Sequence, residues 1–274
     1  MEIVPLSPAL GAEIVGVDAA KPVPQDVFEK ILAAWHSHQV IVLRGQDLDE
    51  DQQVRFAERF GDLSPIHTNH HSATNKAVMY IGNRKKDGKI VGALPLGEMQ
   101  FHSDQCYKER PAMGTMLYSI EIPAEGGNTL FANAYKAYEA LPADLKKRIE
   151  GRKAVHVYDY DGGVLDRKLM VAPEDGVSFA HPLARTHPAT GRRALYVNRL
   201  MTHHIEGLPK EESDEVLARM FETLEQPEFI YEHRWRLGDL LLWDNRCTLH
   251  ARRDFNPEEN RWMRRVTIMG DRPR

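Results

Sequence analysis

Cysteine is scarce in this sequence, and long apolar runs are missing. Its 274 residues include two cysteines, Cys106 and Cys247, which are too few for a disulfide scaffold and lack metal-finger spacing. No apolar stretch approaches the roughly 20 residues that a membrane helix needs, and the first residues lack the basic region and apolar run of a signal peptide. These absences predict a protein of the reducing cytoplasm with no membrane partner.

A strong charge excess and internal repeats are also missing. The formal net charge is -4, which argues against nucleic acid or an anionic membrane as the main partner. No repeat of roughly 20 to 50 residues and no low-complexity tract is present, so solenoids and propellers are excluded. The chain length suits one large domain over residues 1–274 better than two small ones.

Many short strands and few helices follow from the hydrophobic pattern. Helical spacing or helix-terminal residues mark residues 24–39, 49–61, 137–151 and 209–226. Strand-like segments are residues 40–45, 114–122, 128–134, 194–200, 229–237, 239–245 and 261–270. We therefore expect a mainly β fold with flanking helices, an antiparallel sandwich or barrel rather than a doubly wound α/β fold.

Two stretches look irregular. Residues 83–98 are rich in basic residues and glycine, and residues 159–176 are similar. They are either solvated surface loops or a lid that orders over a substrate, because long loops in compact domains are often functional.

The stretch "MQFHSDQCY", residues 99–107, carries the first chemical signal. On a strand, residues i and i+2 point to the same face, so His102 and Asp104 could both reach one metal ion while Ser103 faces away. Two histidines and one carboxylate are the ligand set of non-haem iron(II) oxygenases. This hypothesis requires a third ligand, a histidine on another strand.

The best-placed third ligand among the 13 histidines is His250. It follows the apolar segment Leu240–Trp243 and the residues "DNR", which places it just past a predicted core strand. A packing or surface histidine is the alternative. The adjacent pair His203 and His204 lies in a loop-like segment, "MTHHIEG".

The last predicted strand carries arginines on both faces. Strand alternation puts Arg261, Met263 and Arg265 on one face and Trp262 and Arg264 on the other. Two arginines that point into one interior are costly unless they meet anions. They either form salt bridges with core carboxylates or recognise the carboxylates of ligands, for which the planar guanidinium is suited.

Motifs spread over nearly the whole chain fit one known pattern. They include "HQVIVLRGQ", "FHSD", "PAEGGNTLFANAYKAYEALP", "WDNRCTLHARRDF" and "RWMRRVTIMGD", with an arginine eleven residues beyond His250. The sequence resembles the TauD/TfdA family of iron(II)- and 2-oxoglutarate-dependent dioxygenases. The resemblance implies a double-stranded β-helix (jelly-roll) core and a homodimer or homotetramer.

By that resemblance, His102, Asp104 and His250 are the Fe(II) ligands. Arg261 matches the arginine that binds the distal carboxylate of 2-oxoglutarate, and Thr129 matches the threonine that assists it. The implied reaction consumes 2-oxoglutarate and O2, gives succinate and CO2, and hydroxylates a small organic substrate. If the hydroxylated carbon bears a leaving group, the C–X bond then breaks.

The resemblance also suggests substrate contacts. Arg265 matches the position that holds the anionic group of a sulfonate, carboxylate or aryloxyalkanoate, and His67 lies close to a substrate-contacting histidine. Tyr158 and Tyr196 fall near aromatic pocket positions, with core packing as the alternative. Glu98 stands where taurine-type enzymes have asparagine, and an acid there would repel a sulfonate.

Two other functions use the same residues. A zinc-dependent hydrolase or isomerase could use the two histidines and the carboxylate, but it does not explain Arg261 together with Thr129. A non-catalytic sensor on the same barrel predicts damaged ligands, whereas the three ligand positions here are intact.

Overall fold

The computed structural model describes residues 1–65, 72–94, 96–97, 99–158 and 177–274. The strands are β1 (Glu2–Pro5), β2 (Ala12–Val15), β3 (Val40–Leu43), β4 (Val78–Gly82), β5 (Lys85–Lys86), β6 (Lys89–Ile90), β7 (Met99–His102), β8 (Ala112–Glu121), β9 (Thr129–Asn133), β10 (Lys153–Tyr158), β11 (Val177–Pro182), β12 (Ala184–Thr186), β13 (Arg193–Leu195), β14 (Thr202–Ile205), β15 (Ile230–His233), β16 (Leu240–Asp244), β17 (Thr248–Arg252) and β18 (Trp262–Met269). The helices are α1 (Gln25–His38), α2 (Glu50–Glu58), α3 (Ala134–Ala140), α4 (Ala143–Ile149), α5 (Lys210–Leu224) and a short 3-10 turn at Pro227–Phe229. The chain is mainly β with flanking helices, as the sequence predicts.

Two sheets form the centre of the molecule. The larger has seven strands in the order β1-β2-β3-β16-β8-β18-β4, antiparallel except where β2 meets β3. The smaller has four strands in the order β15-β9-β17-β7. Leu117, Trp243 and Met263 of the larger sheet pack with Phe131 of the smaller sheet in one apolar cluster. The inner faces of the two sheets therefore share a core, as in face-to-face sheet packing.

Helices cover the outer faces. The buried stripe of α1 includes Ile31 and Trp35, which pack with Phe56 of α2 and with Leu242 and Val266 of the larger sheet. Helices α3, α4 and α5 form a second cluster beside the smaller sheet. The 3.6-residue period of α1 is what places its apolar stripe against the sheet.

The expectation of one helix over residues 137–151 is wrong. The structure has two helices, α3 and α4, which are separated at Leu141 and Pro142. Proline has no backbone N–H and its ring clashes with the preceding turn, so it ends the first helix. Pro142 then begins the second helix as its N-cap residue.

Two local predictions also need correction. His203 and His204 lie on β14 and not in a loop, since β14 pairs with β10. The predicted strand over residues 194–200 continues only to Leu195. A turn follows, in which the Asn198 side chain accepts a hydrogen bond from the backbone N–H of Met201, and this local bond competes with strand pairing.

The two irregular stretches have different outcomes. Within residues 83–94, β5 and β6 form a small hairpin around Asp87 and Gly88, both at positive φ. Residues 159–176, the other proposed lid, lie outside the described residues. Among the residues that the structure describes, no helix is long and apolar enough to cross a membrane.

Candidate active site

His102 and His250 face each other on neighbouring strands. His102 ends β7, and His250, in the middle of β17, is its direct partner in the antiparallel register. Their ring centroids are 4.0 Å apart. The sequence placed His250 just past a core strand, whereas the structure puts it on a strand of the second sheet.

Asp104 joins the two histidines from a turn. The prediction that Asp104 continues the strand of His102 is wrong, because β7 ends at His102 and a turn begins at Asp104. Gln105 follows with φ +57°, which bends the chain back. Asp104 Oδ1 lies 4.0 Å from His102 Nε2 and 3.8 Å from His250 Nε2. One ligand atom of each residue lies within 4.8 Å of the others, so the three could hold one metal ion.

The protonation states suit metal binding. His102 Nδ1 donates a hydrogen bond to the Gln100 carbonyl at 2.9 Å, which leaves the Nε2 lone pair free on the side of Asp104. Burial lowers the pKa of His102, and it lowers the pKa of His250 well below its ordinary value. Both rings are therefore neutral near pH 7, the form that binds metals.

Asp104 is held ionised by its neighbours. Burial alone would raise its pKa, but the Arg265 guanidinium and the hydrogen bond from Thr115 lower it well below the ordinary value. Arg265 Nη2 lies 2.8 Å from Asp104 Oδ1, and the Thr115 hydroxyl donates to Asp104 Oδ2 at 2.6 Å. A buried carboxylate with these donors stays charged, as a cation ligand must.

Arg261 is a buried cation without a carboxylate partner among the described residues. Only 2% of it is exposed, and its Nε donates to the Gly127 carbonyl at 3.3 Å. Burial and the nearby Arg252 lower its pKa to about 9. It lines a cavity of about 340 Å³ together with Gly126, Gly127 and Trp235. The site can therefore accept an anion at little desolvation cost to Arg261, which is already stripped of water.

Thr129 reaches the same region from β9. Its hydroxyl accepts a hydrogen bond from Trp235 Nε1 at 3.1 Å, and Trp235 lines the cavity that holds Arg261. The close approach of chain segments here depends on glycine, since a Cβ on Gly127 would lie 3.1 Å from Arg261 Cδ. The turn "PAEGG" thus makes room for the Arg261 side chain.

Of the remaining predicted residues, the structure describes Tyr158 and Tyr196. Tyr158 ends β10 and is partly exposed, with its ring centroid 4.7 Å from that of Tyr107. Tyr196 is buried, and its ring packs against His156 and beneath the Arg185 guanidinium. His67 and Glu98 lie outside the described residues.

A second buried cluster has ligand-like residue types: His187, Asp244 and Cys247. The side chains of His187 and Asp244 already form hydrogen bonds with each other and with neighbouring groups. His187 Nδ1 accepts two backbone N–H groups at 3.2 Å, so its Nε2 carries the proton and donates to Asp244 at 2.9 Å. Arg246 donates to both carboxylate oxygens of Asp244 at 2.8 and 2.6 Å. The cluster is a salt-bridge network, and sequence reasoning missed it because His187 lies 57 residues from Asp244 in the chain.

Comparisons with known proteins give a consistent result. Residues 2–267 match the family described as taurine catabolism dioxygenase TauD, TfdA family. Pentalenolactone F synthase of Streptomyces avermitilis is 35% identical over 97% of this chain and 92% of its own length. The alpha-ketoglutarate-dependent 2,4-dichlorophenoxyacetate dioxygenase of Cupriavidus pinatubonensis is 34% identical over 97% of both chains. The crystal structure of AAD-2 in complex with Mn(II) and N-oxalylglycine superposes with a TM-score of 0.84 at 29% identity, over 99% of each chain.

Proposed function

Since the chain belongs to the TauD/TfdA family of α-ketoglutarate (2-oxoglutarate)-dependent dioxygenases and is an oxidoreductase of that type, we propose that iron(II) is its metal and a small organic anion its substrate. The observation that carries the proposal is the convergence of His102, Asp104 and His250 on one point, with neutral imidazoles and an ionised carboxylate. This donor set is typical of non-haem iron(II) oxygenases, which leave the other positions of the metal open.

His102, Asp104 and His250 would hold the ion, and bound iron(II) would supply the activation of dioxygen. The aromatic rings around His250 would exclude water from this point. The Trp243 ring centroid lies 4.7 Å and that of Phe131 6.3 Å from the His250 ring. A dry site protects a reactive oxidant from side reactions.

Arg261 and Thr129 would bind the distal carboxylate of 2-oxoglutarate. A buried guanidinium without a carboxylate partner is costly, and a ligand carboxylate removes that cost with charge-assisted hydrogen bonds. The cavity beside Arg261 gives the ligand a path to this cation. A zinc hydrolase would have no use for this arrangement.

Arg265 would hold the anionic group of the substrate. Its guanidinium lies against Asp104, so an anion bound there would sit next to the metal ligands. The relative named above acts on 2,4-dichlorophenoxyacetate, a carboxylate. Tyr158, Tyr196 and His67 are further proposed contacts. The substrate would gain one oxygen atom of O2, while 2-oxoglutarate takes the other and yields succinate and CO2.

Further properties of fold, location and assembly belong to the proposal. The two stacked sheets would form a double-stranded β-helix, or jelly-roll, core within a single domain over residues 1–274, supported by their shared apolar cluster. The protein would act in the cytoplasm as a homodimer or homotetramer, with no nucleic-acid partner, consistent with a net charge of -4.

The metal and the co-substrate are tested together under anaerobic conditions. Protein with iron(II) should develop a visible metal-to-ligand band when 2-oxoglutarate is added, and with oxygen and substrate it should form succinate. Arg261→Met should raise the Kd of 2-oxoglutarate at least ~30-fold, because truncating one partner of a buried charge pair costs about 2 kcal/mol or more. The absence of 2-oxoglutarate binding to the wild type would contradict the proposal.

Arg264→Met is the matched control for Arg261→Met. Arg264 is buried on the opposite face of β18, where it donates to Gln53 and the Leu48 carbonyl. Its loss should lower stability without changing the Kd of 2-oxoglutarate. For the substrate, a panel of carboxylates, sulfonates and phosphonates should shift the visible band. If neutral compounds shift it and anions do not, the role of Arg265 is wrong.

A further inference from the structure

A continuous chain of hydrogen bonds runs from Trp243 to Asp104. Trp243 Nε1 donates to Asn245 Oδ1 at 3.0 Å, and Asn245 Nδ2 donates to Thr115 Oγ1 at 3.0 Å. The Thr115 hydroxyl then donates to Asp104 Oδ2 at 2.6 Å. All four residues are buried, so water does not compete for these bonds. We call this chain the Trp243 relay.

The direction of every bond in the Trp243 relay is fixed by its first member. An indole N–H can only donate, so the oxygen of the Asn245 amide must face Trp243 and its nitrogen must face Thr115. Thr115 receives that N–H and has one proton of its own to give. A carboxylate only accepts, so this proton goes to Asp104.

Asn245 also fixes the backbone at Asp104. Its Oδ1 accepts the Asp104 backbone N–H at 3.3 Å, and its carbonyl accepts the Ser103 hydroxyl at 2.9 Å. The Asn245 backbone is itself anchored, since its N–H donates to the Met113 carbonyl at 2.9 Å. The turn that carries Asp104 is therefore tied to Thr115 within β8 and to Asn245, the residue that follows β16.

The two oxygens of Asp104 consequently have different surroundings. Oδ2 is engaged by Thr115, whereas Oδ1 faces His102 Nε2 and His250 Nε2 and also lies 2.8 Å from Arg265 Nη2. Because a carboxylate oxygen has two lone pairs, Oδ1 can accept from Arg265 and still offer one lone pair to a metal ion. Rotation of the carboxylate would break the 2.6 Å bond to Thr115 inside a buried site, where an unmade hydrogen bond is costly.

We propose that Thr115 and Asn245 are positioning residues that restrict Asp104 to offering one oxygen, Oδ1, to the metal. This inference rests on the proposed metal site. Partners of metal ligands typically affect affinity about 10- to 100-fold. A carboxylate that gave both oxygens would occupy a position that 2-oxoglutarate or dioxygen requires, so the Trp243 relay keeps that position open.

The test measures binding of Mn(II) and not turnover. Thr115→Val removes the hydroxyl at constant shape and should weaken Mn(II) binding about 10- to 100-fold in calorimetry. Thr115→Ser retains the donor and should stay within about threefold of the wild type. Asn245→Ala leaves Thr115 in place but removes the amide that orients its hydroxyl. The resulting loss of Mn(II) affinity should therefore be intermediate. The Mn(II)-loaded Thr115→Val protein should also bind 2-oxoglutarate more weakly.

Ser119→Ala is the matched control. Ser119 is another buried hydroxyl on β8, and it donates to the Arg236 carbonyl and accepts the Asp239 N–H, away from Asp104. Its removal should lower thermal stability as Thr115→Val does, while leaving Mn(II) affinity unchanged.

The outcomes separate the two claims. If folded Thr115→Val or Asn245→Ala binds Mn(II) as tightly as the wild type, the positioning role is overturned and the proposed function stands. If Thr115→Ser loses as much affinity as Thr115→Val, the hydroxyl is not the cause and the inference also fails. If the wild type binds no Mn(II) and no 2-oxoglutarate, both the inference and the proposed function are wrong.

Discussion

Two buried clusters in this protein contain histidine and aspartate at similar spacing, yet they differ in what their atoms are free to do. In the cluster of His102, Asp104 and His250, an imidazole nitrogen of each histidine faces an ionised oxygen. In the cluster of His187 and Asp244, both histidine nitrogens have partners and Arg246 covers both carboxylate oxygens. Ligand-like residue types therefore do not identify a metal site unless the hydrogen bonds around them are also considered.

The difference lies in the placement of the arginine. Arg246 is two residues from Asp244 and forms a bidentate pair, the strongest geometry for a carboxylate. Arg265 reaches Asp104 from another strand and touches one oxygen only. In the cluster of His187 and Asp244, the polar atoms bond to groups of the protein and stabilise the fold. The cluster of His102, Asp104 and His250 leaves donor atoms for a ligand.

The largest expected effect is on metal binding by the first cluster. Asp104→Ala should weaken Mn(II) binding more than ~1000-fold, since an ionised ligand is lost from a buried site. The wild type should bind one equivalent of Mn(II), and His187→Ala should leave that stoichiometry unchanged. If the wild type bound a second equivalent of Mn(II) and His187→Ala did not, the distinction between the two clusters would be wrong.

A slightly smaller effect is expected on stability from the second cluster. Arg246→Leu leaves Asp244 as an uncompensated buried charge and should cost about 3–5 kcal/mol of unfolding free energy, measured by urea denaturation. Adding Asp244→Asn to this variant should recover part of the loss. Mn(II) affinity of the folded protein should stay within about threefold, and a loss as large as that of Asp104→Ala would contradict the distinction.

The smallest effect concerns a buried histidine outside both clusters. Burial lowers the pKa of His156 to about 3. Below the ordinary histidine pKa of about 6.5, the unfolded chain takes up a proton that folded His156 refuses, so stability falls as pH falls. The free energy of unfolding should fall by about 1.4 kcal/mol per pH unit, or roughly 2 kcal/mol between pH 6.5 and 5.

His156→Phe should flatten that dependence, and the slope rather than the absolute stability is the quantity to compare. Urea denaturation at pH 6.5 and 5 measures it for both proteins. An unchanged slope in His156→Phe would place the acid sensitivity elsewhere, with His181, whose pKa burial lowers to about 4, as the next residue to replace.

Much of the architecture was predictable because periodicity is a local property. The apolar segment around Leu240 predicted a core strand, and β16 is fully buried at the centre of the larger sheet. The alternation over residues 261–265 correctly separated Arg261 and Arg265 from Arg264, which bonds to Gln53 on the other face. The prediction of one helix over residues 137–151 was wrong because Pro142 interrupts an otherwise helical pattern.

The site was predictable only in part. His102, Asp104 and His250 came from a motif, and the structure brings them together, although Asp104 lies in a turn that alternation did not predict. Thr115 and Asn245 were not identified, because a threonine on a strand and an asparagine after one are ordinary in sequence. Their importance depends on a pairing between β8 and β16, which no local pattern reports.

Trp243 has a practical consequence beyond the bonds it makes. The centroid of its indole lies 4.7 Å from that of the His250 ring, so a paramagnetic ion bound by His250 as proposed would lie near the indole and should quench its fluorescence. Trp35, Trp235 and Trp262 contribute a background that the ion should affect less. The protein therefore carries an intrinsic optical probe, and the emission lost on titration with Mn(II) should report occupancy without any label.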